Sequence, residues 1–239
     1  MLFRSAEEIS LKTKIPIAFD PSRDYFDFIC FLPTKNDPEI GALNRYWGIK
    51  PNGSIKIRGI EIRRHDTPPL IKRFQQEIME SIGKASNKRD FNQLLTSSII
   101  PVLQHYYDAL ESRAVVPEDL VISIRITRTP EHYKVKNYQA IAATYLKRLG
   151  IRIQPGQKVD FVITHDKAEN PEDRVLPIEI FKKGHVYYDI VKYKELLVRA
   201  IVNLFPIPLS EEKKERLRNL QRKEIAQLNG VQKSLRAFL

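Results

Sequence analysis

The stretch RYWGIKPNGSIKIRGIEIRRHDTPP, residues 45–69, decides how the rest of the chain is read. Pro51-Asn52-Gly53 is a hairpin signal, because Asn and Gly accept the backbone angles of a tight turn. On its far side Ile55 and Ile57 alternate with Lys56 and Arg58. That period of two predicts a strand with one packed and one solvated face. After Gly59 the parity flips, and Ile60 and Ile62 alternate with Glu61 and Arg63. A one-residue bulge at Gly59 reconciles the halves. It predicts Lys56, Arg58, Glu61 and Arg63 on one face and the isoleucines on the other.

Downstream, Asp66-Thr67-Pro68-Pro69 has the composition of a helix start, with Asp66 or Thr67 as cap and proline in the first turn. Ile71, Phe74, Ile78 and Ile82 then recur at helical spacing. A second helix is expected from Asn87 onward, kinked or broken at Pro101. Residues 117–165 suggest a small α+β unit. In it Leu120, Ile122, Ile124 and Ile126 form the apolar side of a strand. A basic loop with Tyr133 follows, then a helix ending at Gly150 and another strand, KVDFVIT. A strongly periodic helix follows Tyr188, and Pro206 and Pro208 end it.

Upstream, RDYFDFICFLP reads as a buried strand closed by Pro33, and TKNDPEIGA as a loop. The first 17 residues suggest a short helix and an extended piece. The fold class is α+β: antiparallel strands with a hairpin, a mostly helical region containing the small α+β unit, then a charged tail.

The composition narrows the functional classes. Forty basic residues stand against 29 acidic ones, a net charge of +11. Such an excess favours a polyanion, because neutralising phosphates releases counterions. The one cysteine, Cys30, lies in an apolar run, so no internal disulfide forms and a reduced cytoplasmic location is expected. No apolar run reaches membrane-spanning length. The five histidines have no metal-ligand spacing, and there is no phosphate-binding glycine loop or nucleophile elbow. Asp160, Glu179 and Lys182 superficially match the acid–acid–lysine set of a nuclease. That set puts glutamate and lysine two apart on one strand, whereas here they are three apart, so they read as a solvated strand edge.

RYWG, the hairpin, IKIRGIEIRRHDTP and the following helix together resemble the C-terminal palm and the thumb of an archaeal family B DNA polymerase. The order Ile126-Thr127-Arg128-Thr129-Pro130, Tyr133, Lys134 extends the resemblance over roughly residues 1–205. The Y-G-D-T-D motif that carries a catalytic aspartate in that family is absent. The chain is therefore similar to the small subunit of a split polymerase: residues 1–66 as palm, 67–207 as thumb, 208–239 as linker and tail. The family's K-x-Y element stands here as Asn44-Arg45-Tyr46, without its lysine. The resemblance implies DNA contacts from Arg45, Tyr46, Lys56, Arg58, Arg63 and Arg64 on the palm side. It implies others from Arg128, Tyr133, Lys134 and Lys136 on the thumb side. It implies no catalytic or metal-binding residue here and no activity by this chain alone, with Mg2+ at the carboxylates of a large partner subunit. Asp66 is read as positioning an arginine such as Arg64.

The chain ends QKSLRAFL. Gln232, Leu235, Phe238 and Leu239 resemble the clamp-binding peptide of replication proteins, in which one 3₁₀ turn brings the apolar residues to one side. The expected partners are thus a large polymerase subunit, primer-template DNA and a sliding clamp, with no membrane and a nucleoid-associated location. The alternative is a stand-alone DNA-binding factor recruited by the clamp.

Overall fold

The computed structural model describes residues 26–34, 41–85, 90, 94–182, 187–204, 215 and 217. They form a mixed α/β body with two three-stranded antiparallel sheets.

The first sheet has the order β1 (Phe28–Pro33), β2 (Gly41–Ile49), β3 (Ile55–Arg58). The expected hairpin joins β2 to β3. Gly53 has φ +76°, its N–H reaches Lys50 O at 2.8 Å, and Asn52 Oδ1 accepts from Ser54 N at 3.0 Å. Register assigns the faces. Cys30 pairs with Trp47 and Trp47 with Ile57, while Phe31 pairs with Tyr46 and Tyr46 with Arg58. Directly opposed residues share a face. Cys30, Leu32 and Trp47 on one face are buried, with Ile49, Ile55 and Ile57 packed beside them. The other face carries Ile29, Phe31, Tyr46, Lys56 and Arg58. The first strand therefore alternates rather than being buried throughout: Ile29 is 39% and Phe31 50% exposed.

Gly59 does not bulge a continuing strand; β3 stops before it. Its φ is +68°, and a Cβ there would meet Asn44 O at 2.2 Å. The backbone crosses β2 too closely for any other residue. Ile60 then tucks into the core at 1% exposure, and Glu61–Arg63 form a 3₁₀ turn. Helix α1 (Pro69–Ile82) starts with proline in its first turn, as expected. Pro68 is its cap and no side chain closes it, so neither Asp66 nor Thr67 serves. Ile71, Phe74, Ile78 and Ile82 are all buried.

Helix α2 (Ile100–Glu111) is preceded by a π turn over Leu95–Ile99. Pro101 explains the break, since it has no N–H to donate and its ring needs room. Phe74 of α1 meets Tyr106 edge-on at 5.1 Å. The predicted cap Asn87 lies outside the described residues, as does the expected N-terminal helix.

The second sheet joins β4 (Ile122–Arg125), β5 (Lys158–Ile163) and β6 (Val175–Pro177), with α3 (Tyr138–Arg148) against it. Asn137 caps α3 by accepting from Ala140 N at 3.1 Å. Gly150 ends it as expected, with φ +82°. Its N–H reaches Lys147 O, and the Ile151 N–H reaches Leu146 O at 2.9 Å, which satisfies two terminal carbonyls. A short helix α4 (Ile178–Phe181) leads toward α5 (Ile190–Val202), capped by Asp189.

Helix α5 ties the body together. The buried Tyr193 hydroxyl donates to Leu120 O at 2.7 Å and accepts from Ile163 N at 3.2 Å. Gln75 of α1 donates to Ala200 O at 3.0 Å. Just past the helix end, Leu204 O accepts from Trp47 Nε1 at 3.1 Å and from Cys30 Sγ at 3.6 Å. Both sheets and α1 thus hang on one helix. Burial pushes the Cys30 thiol up to about 11, which fits a packed side chain and not a nucleophile.

Candidate nucleic-acid interface

The outer face of the first sheet is built by strand alternation, and it divides into two halves. On β1 it is apolar. On β3 it is basic: Arg58 is exposed opposite Tyr46, and Lys56 is half-buried opposite Gly48. Arg58 forms no ion pair among the described residues. Tyr46 lies between the halves, with its ring 5.8 Å from Phe31 and 6.5 Å from Phe26. Asn44, two residues before it, is exposed. Arg45 falls on the opposite parity, where its Nη1 donates to Pro33 O at 3.4 Å. Arg45 and Tyr46 therefore do not share a face, because adjacent strand residues point oppositely.

Beyond β3 the cations diverge. Arg63 is exposed on the 3₁₀ turn. Arg64 grips Asp66 with both arms, Nε to Oδ1 at 2.8 Å and Nη2 to Oδ2 at 2.5 Å. The hydrogen bonds from Arg64 hold the Asp66 carboxyl below its ordinary value. The same contact raises the guanidinium further, so Arg64 stays charged. Asp66 thus fixes Arg64, the role read for it from sequence. The residue that sequence misplaced is Glu61. It is not on the basic face: it turns inward, accepting from Asn203 Nδ2 and Gln75, with Arg199 at 3.8 Å. The break at Gly59 is the cause, since it rotates everything after it. Glu61, Arg64, Asp66 and Arg199 line a cleft of about 100 Å³ between this turn and α5.

The second basic region is the loop after β4. The Tyr133 hydroxyl accepts from the Thr127 N–H at 3.0 Å, which pins the loop to the strand end. Burial pushes this hydroxyl up, but the hydrogen bonds from Thr127 and the neighbouring Arg128 outweigh it and leave it below the usual tyrosine value. Arg128, Lys134 and Lys136 are exposed and make no ion pair among the described residues. The acids nearby are taken up by cations of α3. Glu131 pairs with Lys147, which holds its carboxyl down to about 2, and Glu172 takes both arms of Arg148 at 2.7 and 2.8 Å. The loop therefore keeps its positive charge. A cleft of about 220 Å³ lined by Tyr133, Lys136, Tyr145 and Arg148 separates it from α3.

Two sequence readings remain. Glu179 and Lys182 are not on a strand edge. They lie in and just after the short helix α4, and Lys182 pairs with Glu118 at 2.7 Å. Among the described residues no group of three or more His, Cys, Asp or Glu could hold a metal, and no helix is long and apolar enough to cross a membrane. Gln232, Leu235, Phe238 and Leu239 lie outside the described residues.

Comparison with known proteins gives a consistent picture. Residues 43–207 match the family described as DNA polymerase family B. DNA polymerase 1 of Sulfolobus acidocaldarius is 23% identical over 214 residues, covering 82% of this chain and 24% of that protein. A DNA polymerase from a Thermococcus species is 28% identical over 151 residues, covering 63% of this chain and 8% of its own length. Among solved structures, the family B DNA polymerase from the hyperthermophilic archaeon Pyrobaculum calidifontis superposes with a TM-score of 0.61. It has 22% identity and covers 85% of this chain and 24% of that one. The chain thus spans about a quarter or less of the length of these relatives.

Proposed function

The chain belongs to DNA polymerase family B, and on that premise we propose that it is a non-catalytic subunit of a DNA-directed DNA polymerase. In this reading residues 1–66 complete the palm and residues 67–207 form the thumb that grips primer-template duplex. Residues 208–239 tether the enzyme to a sliding clamp through Gln232, Leu235, Phe238 and Leu239. A large partner chain supplies the catalytic carboxylates and their Mg2+, because two-metal phosphoryl transfer needs carboxylates to hold the ions. The complex works in the cytoplasm, at the nucleoid.

The carrying observation is the outer face of the first sheet. Strand β1 is an edge strand among the described residues, with Ile29 and Phe31 exposed on it. An apolar edge strand calls for cover by another chain. The basic half beside it and the loop with Tyr133 supply sequence-independent contacts to phosphates.

Primer extension by the large polymerase chain of the same genome, with and without this protein, tests the reading. Strong stimulation on mixing, with no incorporation by this chain alone, is the expected result. Equal extension by the large chain without it overturns the subunit role and leaves a clamp-recruited DNA-binding factor. Incorporation by this chain alone overturns its non-catalytic status.

A further inference from the structure

One cationic pair on the second sheet belongs to none of the sequence-predicted contacts. Register places Arg125 of β4 directly opposite Lys158 of β5. The Ile126 N–H reaches Gln157 O at 2.9 Å, which marks the next pair along as hydrogen-bonded. Arg125 and Lys158 are therefore a non-hydrogen-bonded pair, the kind in which facing side chains approach most closely, with Cβ atoms about 5 Å apart. Like charges so placed destabilise a sheet.

Among the described residues no acid relieves them. Both are exposed, and neither forms an ion pair among the described residues. Several surface cations of this body do find acids, Arg64 with Asp66, Arg73 with Asp119 and Arg148 with Glu172, whereas these two directly opposed cations do not. The next carboxylate along the same face is Asp160, two pairs away and opposite Ser123. Its Oδ1 is buried without a hydrogen-bond partner, and among the described residues it forms no ion pair with either cation. Two residues past Arg125, the Thr127 N–H holds the Tyr133 hydroxyl, so the basic loop abuts this end of the strand.

We propose that Arg125 and Lys158 form a clasp for one backbone phosphate of bound nucleic acid, extending the basic loop onto the sheet. This rests on the DNA-binding reading above. An anion between the two cations removes the repulsion that the empty sheet carries, and a guanidinium fork beside a compact ammonium suits a phosphate.

The test uses the full chain and a fluorescently labelled primer-template duplex, followed by anisotropy over a salt series. One phosphate contact contributes about 0.9 to the slope of log K against log salt, which is about eightfold in affinity at ~0.1 M relative to ~1 M salt. The double variant Arg125→Gln/Lys158→Gln is expected to bind about eightfold more weakly at ~0.1 M salt, with the slope reduced by about 0.9. Its thermal midpoint should be equal or higher, because the repulsion is gone. The exchanged variant Arg125→Lys/Lys158→Arg should keep the slope. Unchanged affinity and slope in the Gln variant overturn the clasp while leaving DNA binding intact. Failure of the unaltered chain to bind duplex overturns both. A lowered midpoint with weaker binding in both variants makes the pair structural and also overturns the clasp.

Discussion

Removing a single oxygen tests the claim that α5 holds the second sheet. In Tyr193→Phe the ring remains and only the hydroxyl is lost. That hydroxyl, fully buried, donates to Leu120 O and accepts from Ile163 N, so its removal orphans one acceptor and one donor in a dry interior. Each unsatisfied buried group costs about 1–3 kcal/mol. The Leu120 carbonyl precedes the strand and relaxes more readily than the Ile163 N–H inside β5, so the lower half of the range applies to it. The expected loss is about 2–5 kcal/mol, a large share of the roughly 5–15 kcal/mol that stabilises an ordinary domain. Urea unfolding followed by far-UV circular dichroism measures it, with the midpoint shifted down and the slope unchanged. Tyr107→Phe is the control. Its hydroxyl donates to the Leu217 carbonyl at 2.8 Å, and removing that hydrogen bond is expected to cost about 1–2 kcal/mol. A loss under about 0.5 kcal/mol in Tyr193→Phe would refute the reasoning, because the second sheet would then be held by something other than this hydroxyl.

Other outcomes follow from the same geometry. Phe74→Ala, at 0% exposure in α1, should cost about 3–5 kcal/mol in the same urea assay. Arg58→Ala should weaken duplex binding about eightfold at ~0.1 M salt and lower the salt slope by about 0.9, with the thermal midpoint unchanged, since the side chain is exposed. The Asp66 carboxyl sits below its unfolded value, so its contribution is present above about pH 4 and is lost as pH falls through the lower folded value. Because Arg64 is 55% and Asp66 33% exposed, that contribution is at most about 1 kcal/mol, and Asp66→Asn should flatten the acid limb of the stability curve by no more than that. Phe31→Asp should leave the stability of the isolated chain within about 0.5 kcal/mol but abolish its stimulation of the large chain in primer extension.

What was legible in the sequence was local. The Asn52-Gly53 turn, the buried stripe of α1 and the glycine end of α3 each depend on residues within a few positions of one another. The faces of the hairpin followed from alternation alone. What failed depended mostly on partners distant in sequence or on local competition that composition does not show. Gly59 announced a break, but its direction is set by the carbonyl of Asn44 on the neighbouring strand, so Glu61 was placed outside when it faces α1 and α5. Asp66 has the composition of a cap, and Arg64 two residues back claims it first. Alternation within the Asn44-Arg45-Tyr46 element separates two residues that a motif lists together. The three-residue strand β6 is too short for any period to show. The opposition of Arg125 and Lys158 is a matter of register between strands, and no pattern within either strand reveals it.

The two halves of the outer sheet face call for different occupants. Duplex DNA offers phosphates and sugars along its outside and keeps its base faces stacked within. Arg58 and Lys56 gain from such a surface, but Ile29 and Phe31 on β1 gain almost nothing from it. A single-stranded ligand would stack on Phe31 and Tyr46, yet an aliphatic side chain such as Ile29 is a poor stacking platform. Moreover, β1 has backbone groups to satisfy at a sheet edge among the described residues, and nucleic acid does not complete a β-ladder. Protein does. On the proposed reading, a partner chain laid along β1 would cover Ile29 and Phe31 and stop near Tyr46, where the basic half begins. If the proposed subunit role holds, the aromatic ring of Tyr46 would mark the seam between partner chain and DNA, and a contact that positions the one would also position the other.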